Sequence, residues 1–104
     1  MSPTLRDAAE LNRLIHEPSR LMIVSLLFAL EKADFIYLLN ETGLTRGNLS
    51  THLSKLEEAG YLSVEKTFRG KVPQSLYSLT PAGREAFTAY RQQLKNLVDI
   101  ITEE

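Results

Sequence analysis

A row of small polar and basic side chains stands between the leucines of residues 45–62, TRGNLSTHLSKLEEAGYL. Asn48, Thr51 and Lys55 recur at spacings of three and four residues, which places them on one side of a helix. Asparagine, lysine and arginine carry the donors and acceptors that read base edges in a DNA major groove, and small neighbours let the helix approach closely. These residue types at this spacing therefore favour contact with double-stranded DNA.

The rest of this helix supports the same interpretation. Its acids, Glu57 and Glu58, lie at the C-terminal end. Its exposed side also carries serine, threonine, asparagine and glycine, which are weaker helix formers than the residues that usually occupy a helix face exposed only to solvent. A solvated face is the simpler alternative. His52 lies at the border of the leucine stripe, where it either hydrogen-bonds within the protein or reads a base. The predicted groove-facing side chains are Arg46, Asn48, Ser50, Thr51 and Lys55.

Positive charge is concentrated in the middle of the chain, although the 104 residues carry a formal net charge of -1. Residues 1–44 contain 4 basic and 6 acidic side chains, residues 45–84 contain 6 and 3, and residues 85–104 contain 2 and 4. The middle segment is therefore positive and the two flanks are negative. This pattern suits a phosphate-bearing partner for the middle segment alone.

Other chemistry has little support in the sequence. The chain has no cysteine and two histidines, so we expect no metal site and no cofactor. Glu57 and Glu58 are adjacent and diverge by about 100° on a helix, which prevents them from acting on one bond. No phosphate-binding glycine loop, nucleophile elbow or His-Glu metal motif occurs, so we do not expect an enzyme. No apolar run approaches the roughly 18 residues of a membrane span, which predicts a cytoplasmic protein.

Helical periodicity begins before the polar row. Leu5–Ile15 has apolar residues on one helical face, and Pro18 opens a second helix that is apolar on all sides and should be the most buried element. Ala33–Phe35 is predicted to be a short extended connector. We expect the helix that carries the polar row to pack against these segments.

A helix-turn-helix follows, over about residues 36–59. A short helix at 36–41 ends before Gly43, which suits a left-handed cap, and Thr45 is predicted to cap the helix of the polar row. The stripe that this helix buries consists of Leu49, Leu53 and Leu56. Two helices joined by so short a turn are typical of this motif.

After Gly60 the periodicity changes from helical to alternating, which predicts a β-hairpin wing over about residues 61–79. The basic segment RGKVPQ, residues 69–74, is its tip. A basic hairpin beside a recognition helix reaches flanking phosphates or a minor groove. The predicted wing contacts are Lys66, Arg69 and Lys71, and a merely solubilising hairpin is the alternative.

A last helix is predicted over about residues 81–102, capped by Thr80 and opened by Pro81. Its apolar residues follow heptad spacing, and a domain of this size has little core left to cover them or the face of the first helix. We therefore expect a homodimer. The predicted interface consists of Leu5, Ala8, Leu11, Ile15, Phe87, Tyr90, Leu94, Leu97 and Ile101.

Together these patterns predict one domain over residues 1–104, mainly α with a small β-hairpin wing (α+β). The predicted architecture is a winged helix-turn-helix with N- and C-terminal dimerisation helices. GLTRGNLSTHLSKLEEAGYL and RGKVPQSLYSLTPAGREAF, with the spacing between them, resemble the small stand-alone winged-helix transcriptional regulators of the MarR/ArsR-like group, over about Arg13–Tyr90.

The resemblance implies a homodimer, held by its first and last helices, that binds operator DNA through the helix Arg46–Ala59 and the wing. It also implies groove contacts for the five residues of that helix predicted above, and wing contacts for Arg69 and Lys71. Metal-sensing members carry cysteine or histidine clusters that this chain lacks, and larger MarR-type members form a ligand pocket between longer helices, so no effector is assigned. The alternative is a winged helix that binds another protein instead of DNA.

Overall fold

A computed structural model describes Arg6 and residues 10–102. Its elements in chain order are α1 (Pro18–Ala29), β1 (Ala33–Asp34), α2 (Phe35–Thr42), α3 (Arg46–Glu58), β2 (Leu62–Arg69), β3 (Val72–Leu79) and α4 (Pro81–Thr102). The strands form one antiparallel sheet in the order β1-β3-β2. Within the described residues, four helices pack with a small sheet that includes the wing, which confirms the predicted winged-helix α+β fold class.

The segment predicted to be an extended connector is a third strand. Ala33 pairs with Tyr77 and Asp34 with Leu76, so β1 joins the wing hairpin to the helices. Asp34 also begins α2, because its Oδ1 accepts the backbone N–H of Tyr37 at 2.7 Å. A strand of two residues is too short to show alternation, so its pairing leaves no periodic signal in the sequence.

The predicted first helix, Leu5–Ile15, is wrong over Glu10–Ile15, which is turn and irregular backbone. Asn12 gives the reason: its side-chain Oδ1 accepts the N–H groups of Leu14 and Ile15 at 3.0 and 3.2 Å, which competes with helical hydrogen bonding. Leu5 and Ala8, predicted for the dimer interface, lie outside the described residues.

The core also contains three side chains that we had predicted for the dimer interface. Ile15, Phe87 and Tyr90 are 0%, 7% and 1% exposed and pack within the same buried cluster as the helices and the wing base. The Tyr90 hydroxyl lies 2.7 Å from His16 Nδ1, which gives the buried phenol a polar partner. Their own chain therefore covers these three residues, and their burial does not require a second chain.

A close backbone contact joins the base of the wing to the start of α4. The Thr80 hydroxyl donates to the Gly60 carbonyl at 2.6 Å and accepts the N–H of Gly83 at 3.0 Å, so Thr80 caps α4 as predicted. The Thr80 N–H donates to the Tyr61 carbonyl at 3.0 Å. Gly83 is buried against this segment, and a Cβ at Gly83 would run into the Tyr61 carbonyl oxygen and lie 3.1 Å from Tyr61 Cα.

Gly83→Ala should therefore destabilise the protein by about 1–3 kcal/mol or more, because the obstacle is backbone and cannot move aside cheaply. Urea unfolding measures the loss. Gly47→Ala is the matched control: Gly47 is also helical, but an added Cβ there would have nothing within 4 Å. Equal stability of the two variants would contradict the importance of the contact between Gly83 and Tyr61.

Candidate nucleic-acid interface

The orientation of α3 follows from its leucine stripe. Leu49, Leu53 and Leu56 are buried in the core, which turns the other sides of the helix outward. The helix begins at its predicted cap, where the Thr45 hydroxyl accepts the N–H of Asn48 at 3.1 Å. All five side chains predicted to face a groove are exposed on this helix: Arg46, Asn48, Ser50, Thr51 and Lys55.

The exposed side chains of α3 make few contacts inside the protein. The Thr51 hydroxyl donates to the Gly47 carbonyl at 3.0 Å, which leaves the oxygen's lone pairs available as acceptors. The Arg46 guanidinium carbon lies 6.0 Å from the centre of the Phe35 ring, a weak cation–π contact with α2. In the part of the chain that the structure describes, no ion pair occupies Arg46 or Lys55. Their charges remain available to a ligand.

Gly47 stands in the first turn of α3 without a structural reason to be glycine. It has no positive φ, and an added Cβ would meet nothing within 4 Å. Glycine costs up to about 1 kcal/mol relative to alanine inside a helix. Glycine at this position therefore lowers the stability of the helix and leaves the surface beside Asn48 and Thr51 without a side chain.

The three predicted wing contacts differ in their surroundings. Lys66 Nζ donates to the Ser75 hydroxyl at 2.9 Å, which ties this lysine across the hairpin strands. Arg69 and Lys71 are exposed at the tip, where Gly70 and Lys71 form a two-residue turn between the paired residues Arg69 and Val72. Gly70 has φ 66°, as the first position of a type II′ turn requires.

A groove separates the wing tip from the start of α2. It has a volume of about 640 Å³ and lies between the tip strands and the N-terminus of α2, with Phe35, Ile36, Arg69 and Val72 among its lining residues. Asp34 also lines the groove, where its Oδ2 accepts from Gln74 Nε2 at 2.9 Å. The groove thus combines apolar side chains with the cation of Arg69 and a carboxylate that is already hydrogen-bonded, and Arg46 lies near it, 6.0 Å from the centre of the Phe35 ring.

His52 hydrogen-bonds within the protein. Arg20 Nη1 donates to His52 Nδ1 at 3.1 Å, and Arg20 Nε donates to the Leu14 carbonyl at 2.6 Å. A guanidinium has only donors, so Nδ1 must accept and the ring proton belongs on Nε2. Of the two roles left open for His52, the geometry therefore favours the contact between α3 and α1 over base reading.

Glu17 completes this cluster. Its Oε2 accepts the N–H of Arg20 at 2.8 Å, which makes it the N-cap of α1, and lies 3.8 Å from both Arg20 Nη1 and His52 Nδ1. Burial acts to raise the pKa of Glu17, but the N–H donors of Arg20 and Ser19 and the positive charge of the Arg20 guanidinium outweigh it, so the pKa is lowered. The sequence signal for this cap is an acid directly before Pro18.

None of the helices in the described residues has both the length and the apolar character needed to cross a bilayer. The same residues bring together no group of three histidine, aspartate or glutamate side chains that could hold a metal ion.

Comparison of the sequence with known proteins identifies the family. Residues 19–98 match the winged helix DNA-binding domain family. The uncharacterized protein MJ0432 of Methanocaldococcus jannaschii is 39% identical over 79 residues, which are 75% of this chain and 85% of the relative. The chain belongs to the winged helix DNA-binding domain family.

Solved structures refine this assignment. A transcriptional regulator homologue from Pyrococcus horikoshii OT3 superposes with a TM-score of 0.85 at 26% identity, covering 94% of this chain and 96% of that one. A MarR-family protein from Enterococcus faecalis V583 shares the fold, with a TM-score of 0.71 at 22% identity over 88% of this chain and 79% of its own. The chain therefore combines membership of a winged-helix DNA-binding family with a fold that it shares with a transcriptional regulator homologue and a MarR-family protein.

Glu17→Gln should change how stability depends on pH. A carboxyl whose pKa is lowered on folding adds stability above its unfolded pKa and loses it as the pH falls through the folded value. The advantage of the wild type over Glu17→Gln should therefore be complete at neutral pH and shrink as the pH falls below 4.5, the ordinary value for this group. Urea unfolding at a series of pH values measures it. A difference that stays constant down to pH about 2 would contradict this account of Glu17.

Proposed function

We propose that the protein is a homodimeric repressor that occupies a pseudo-palindromic operator, which it reads with the helix at 46–59 and the wing at 69–74. The observation that carries the proposal is the exposed row on α3, which has almost no role inside the protein. Gly47 supports it, because a missing side chain on an exposed helix lets the backbone come close to a base edge or phosphate. Membership of a DNA-binding family supports it independently.

The wing supplies the electrostatic part of the proposal. Arg69 and Lys71 are exposed at the tip and, among the described residues, have no ion-pair partner. Phosphate contacts position a protein on duplex DNA without reading sequence, whereas contacts to base edges provide specificity. We assign positioning to Arg69 and Lys71, and base reading to Asn48, Thr51 and Lys55. Lys66, tied to Ser75, contributes charge in the middle of the wing.

The dimer is proposed through the C-terminal part of α4. Tyr90 is the last buried residue of this helix, and residues 91–102 continue beyond it. Leu94 and Leu97 are half-buried, and Ile101 is 69% exposed, on the face that continues from Phe87 and Tyr90. Leu11 is half-buried against the core and stands at the edge of the proposed interface. Two-fold symmetry would then place the half-sites about one helical turn, or a multiple of it, apart.

Asn48→Ala and Thr51→Ala should each weaken binding by about 5- to 150-fold, the loss of about 1–3 kcal/mol expected for a good base contact, and relax preference at one position. Electrophoretic shifts across a salt series on operator fragments selected from random duplex measure both effects. Thr88→Ala is the matched control, because the exposed Thr88 hydroxyl bonds the carbonyl four residues back at 2.9 Å, as Thr51 does at 3.0 Å.

Unchanged affinity and preference in both α3 variants would show that α3 is not the reading helix. If the wild type binds no duplex even at low salt, the protein is instead the protein-binding winged helix that its acidic flanks make conceivable.

Ile101→Glu should convert the dimer to a monomer, because a charge would be buried without a partner in the proposed interface. Sedimentation at micromolar concentration measures the change. Gln92→Glu adds the same charge to the opposite side of the same helix, where Gln92 is exposed, and should leave the dimer intact. A wild-type protein that sediments as a monomer would remove this part of the proposal.

A further inference from the structure

The wing tip carries large apolar side chains that folding does not explain. Phe68 and Val72 are 69% and 65% exposed, and Ile36 on α2, which lines the same groove as Val72, is 49% exposed. An aromatic side chain contributes to stability in proportion to the area that it buries, so Phe68 contributes little where it stands. Exposed apolar groups that lie close together mark a surface that meets another molecule.

The strand register places these side chains on both faces of the hairpin. Phe68 pairs with Pro73 and Arg69 pairs with Val72, and directly opposed residues share a face. Phe68 and Pro73 therefore point to one side, Arg69 and Val72 to the other, and Lys71 stands at the turn itself. The tip is a thin wedge with an apolar side chain on each face and cations at its end.

A DNA minor groove matches this arrangement. Its walls are deoxyribose rings, which are largely apolar, and its floor carries acceptor atoms. Apolar side chains inserted beside arginine are a known way of opening this groove. We infer that the wing tip enters the minor groove as an apolar wedge, with Phe68 and Val72 against its two walls and Arg69 and Lys71 toward its floor and phosphates. This inference rests on the proposed function.

The cations at the wing tip favour DNA over a protein partner. Val72 lines the same groove as Arg69, together with Phe35 and Ile36, and Arg46 lies 6.0 Å from the centre of the Phe35 ring. Phe68 lies on the other face of the same tip, directly before Arg69 in the chain. A ligand that covers α3 and the wing together would cover Val72 as well.

The size of the wedge predicts which DNA it prefers. Side chains on both faces make a β-ribbon about 10 Å thick, whereas the minor groove of B-DNA is about 6 Å wide. The groove must open, and this costs less at flexible TpA steps than in stiff A-tracts. A tip that inserted arginine alone would prefer the narrow A-tract. Apolar insertion and arginine insertion therefore predict opposite preferences between TpA and A-tract flanks. The minor groove presents the same acceptors for A·T and T·A pairs, so a preference between these flanks reports deformation and not base reading.

The test is competition binding of the full chain to duplexes with a random core and either alternating TpA or A-tract flanks. The wild type should prefer TpA flanks by about 5- to 10-fold, a size that groove deformation can supply. Phe68→Thr, which suits a strand, should abolish the preference, and Phe68→Tyr, which keeps the ring, should retain it. Arg69→Gln should weaken binding to both flanks and leave the TpA preference in place. Thermal unfolding confirms that each variant is folded.

The outcomes separate the inference from the proposed function. Wild-type binding with no flank preference, with a preference for A-tracts, or with a TpA preference that survives Phe68→Thr would overturn the wedge and leave the recognition helix standing. A change in sedimentation of Phe68→Thr without a change in flank preference would assign the tip to a protein contact and overturn the wedge as well. Absence of binding to any duplex would overturn both.

Discussion

The burial of three leucines on α3 is the constraint on which the rest of the molecule depends. Leu49, Leu53 and Leu56 are almost completely buried, and each such side chain contributes about 1.5–3 kcal/mol, a large share of the about 5–15 kcal/mol that stabilises a domain. The core therefore sets the rotation of α3. The polar row then faces outward without needing any contact of its own. A core that fixes the helix leaves its exposed face free to be shaped by what it binds.

Much of the fold could be predicted because most of its elements are periodic or capped. Thr45 and Thr80 accept the N–H groups expected of caps, and Gly43 has the left-handed backbone, φ 70°, that a helix end favours. The prediction of secondary structure failed where the hydrogen bonds of a single side chain determine the backbone conformation. Asn12 competes with helical hydrogen bonds over Glu10–Ile15, and no pattern indicates that. Heptad spacing predicts an apolar seam, but it does not say which chain covers Phe87 and Tyr90.

The exposure of the α3 side chains was predictable from the leucine stripe alone, whereas their surroundings were not. His52 meets Arg20, 32 residues earlier in the chain, and long-range pairing of this kind requires the fold. Phe68 shares a face with Val64 by alternation, which predicts an inward direction for both. Val64 is half-buried, but Phe68, four residues further along the same strand, is 69% exposed. Alternation indicates which face a residue lies on, but not how far along the strand that face is covered.

Gly47 and Phe68 break local rules in opposite ways on the proposed DNA-binding surface. One is a small residue where a larger one would strengthen a helix, and the other is a large apolar residue where a polar one would cost nothing. Consistent sequences depart from such rules mainly at functional sites. The missing side chain at Gly47 lets the α3 backbone come close to DNA. The exposed ring of Phe68 on the wing requires a DNA groove that can widen. A rigid, sequence-independent attraction to phosphate explains neither residue, whereas a duplex read in one groove and deformed in the other accounts for both.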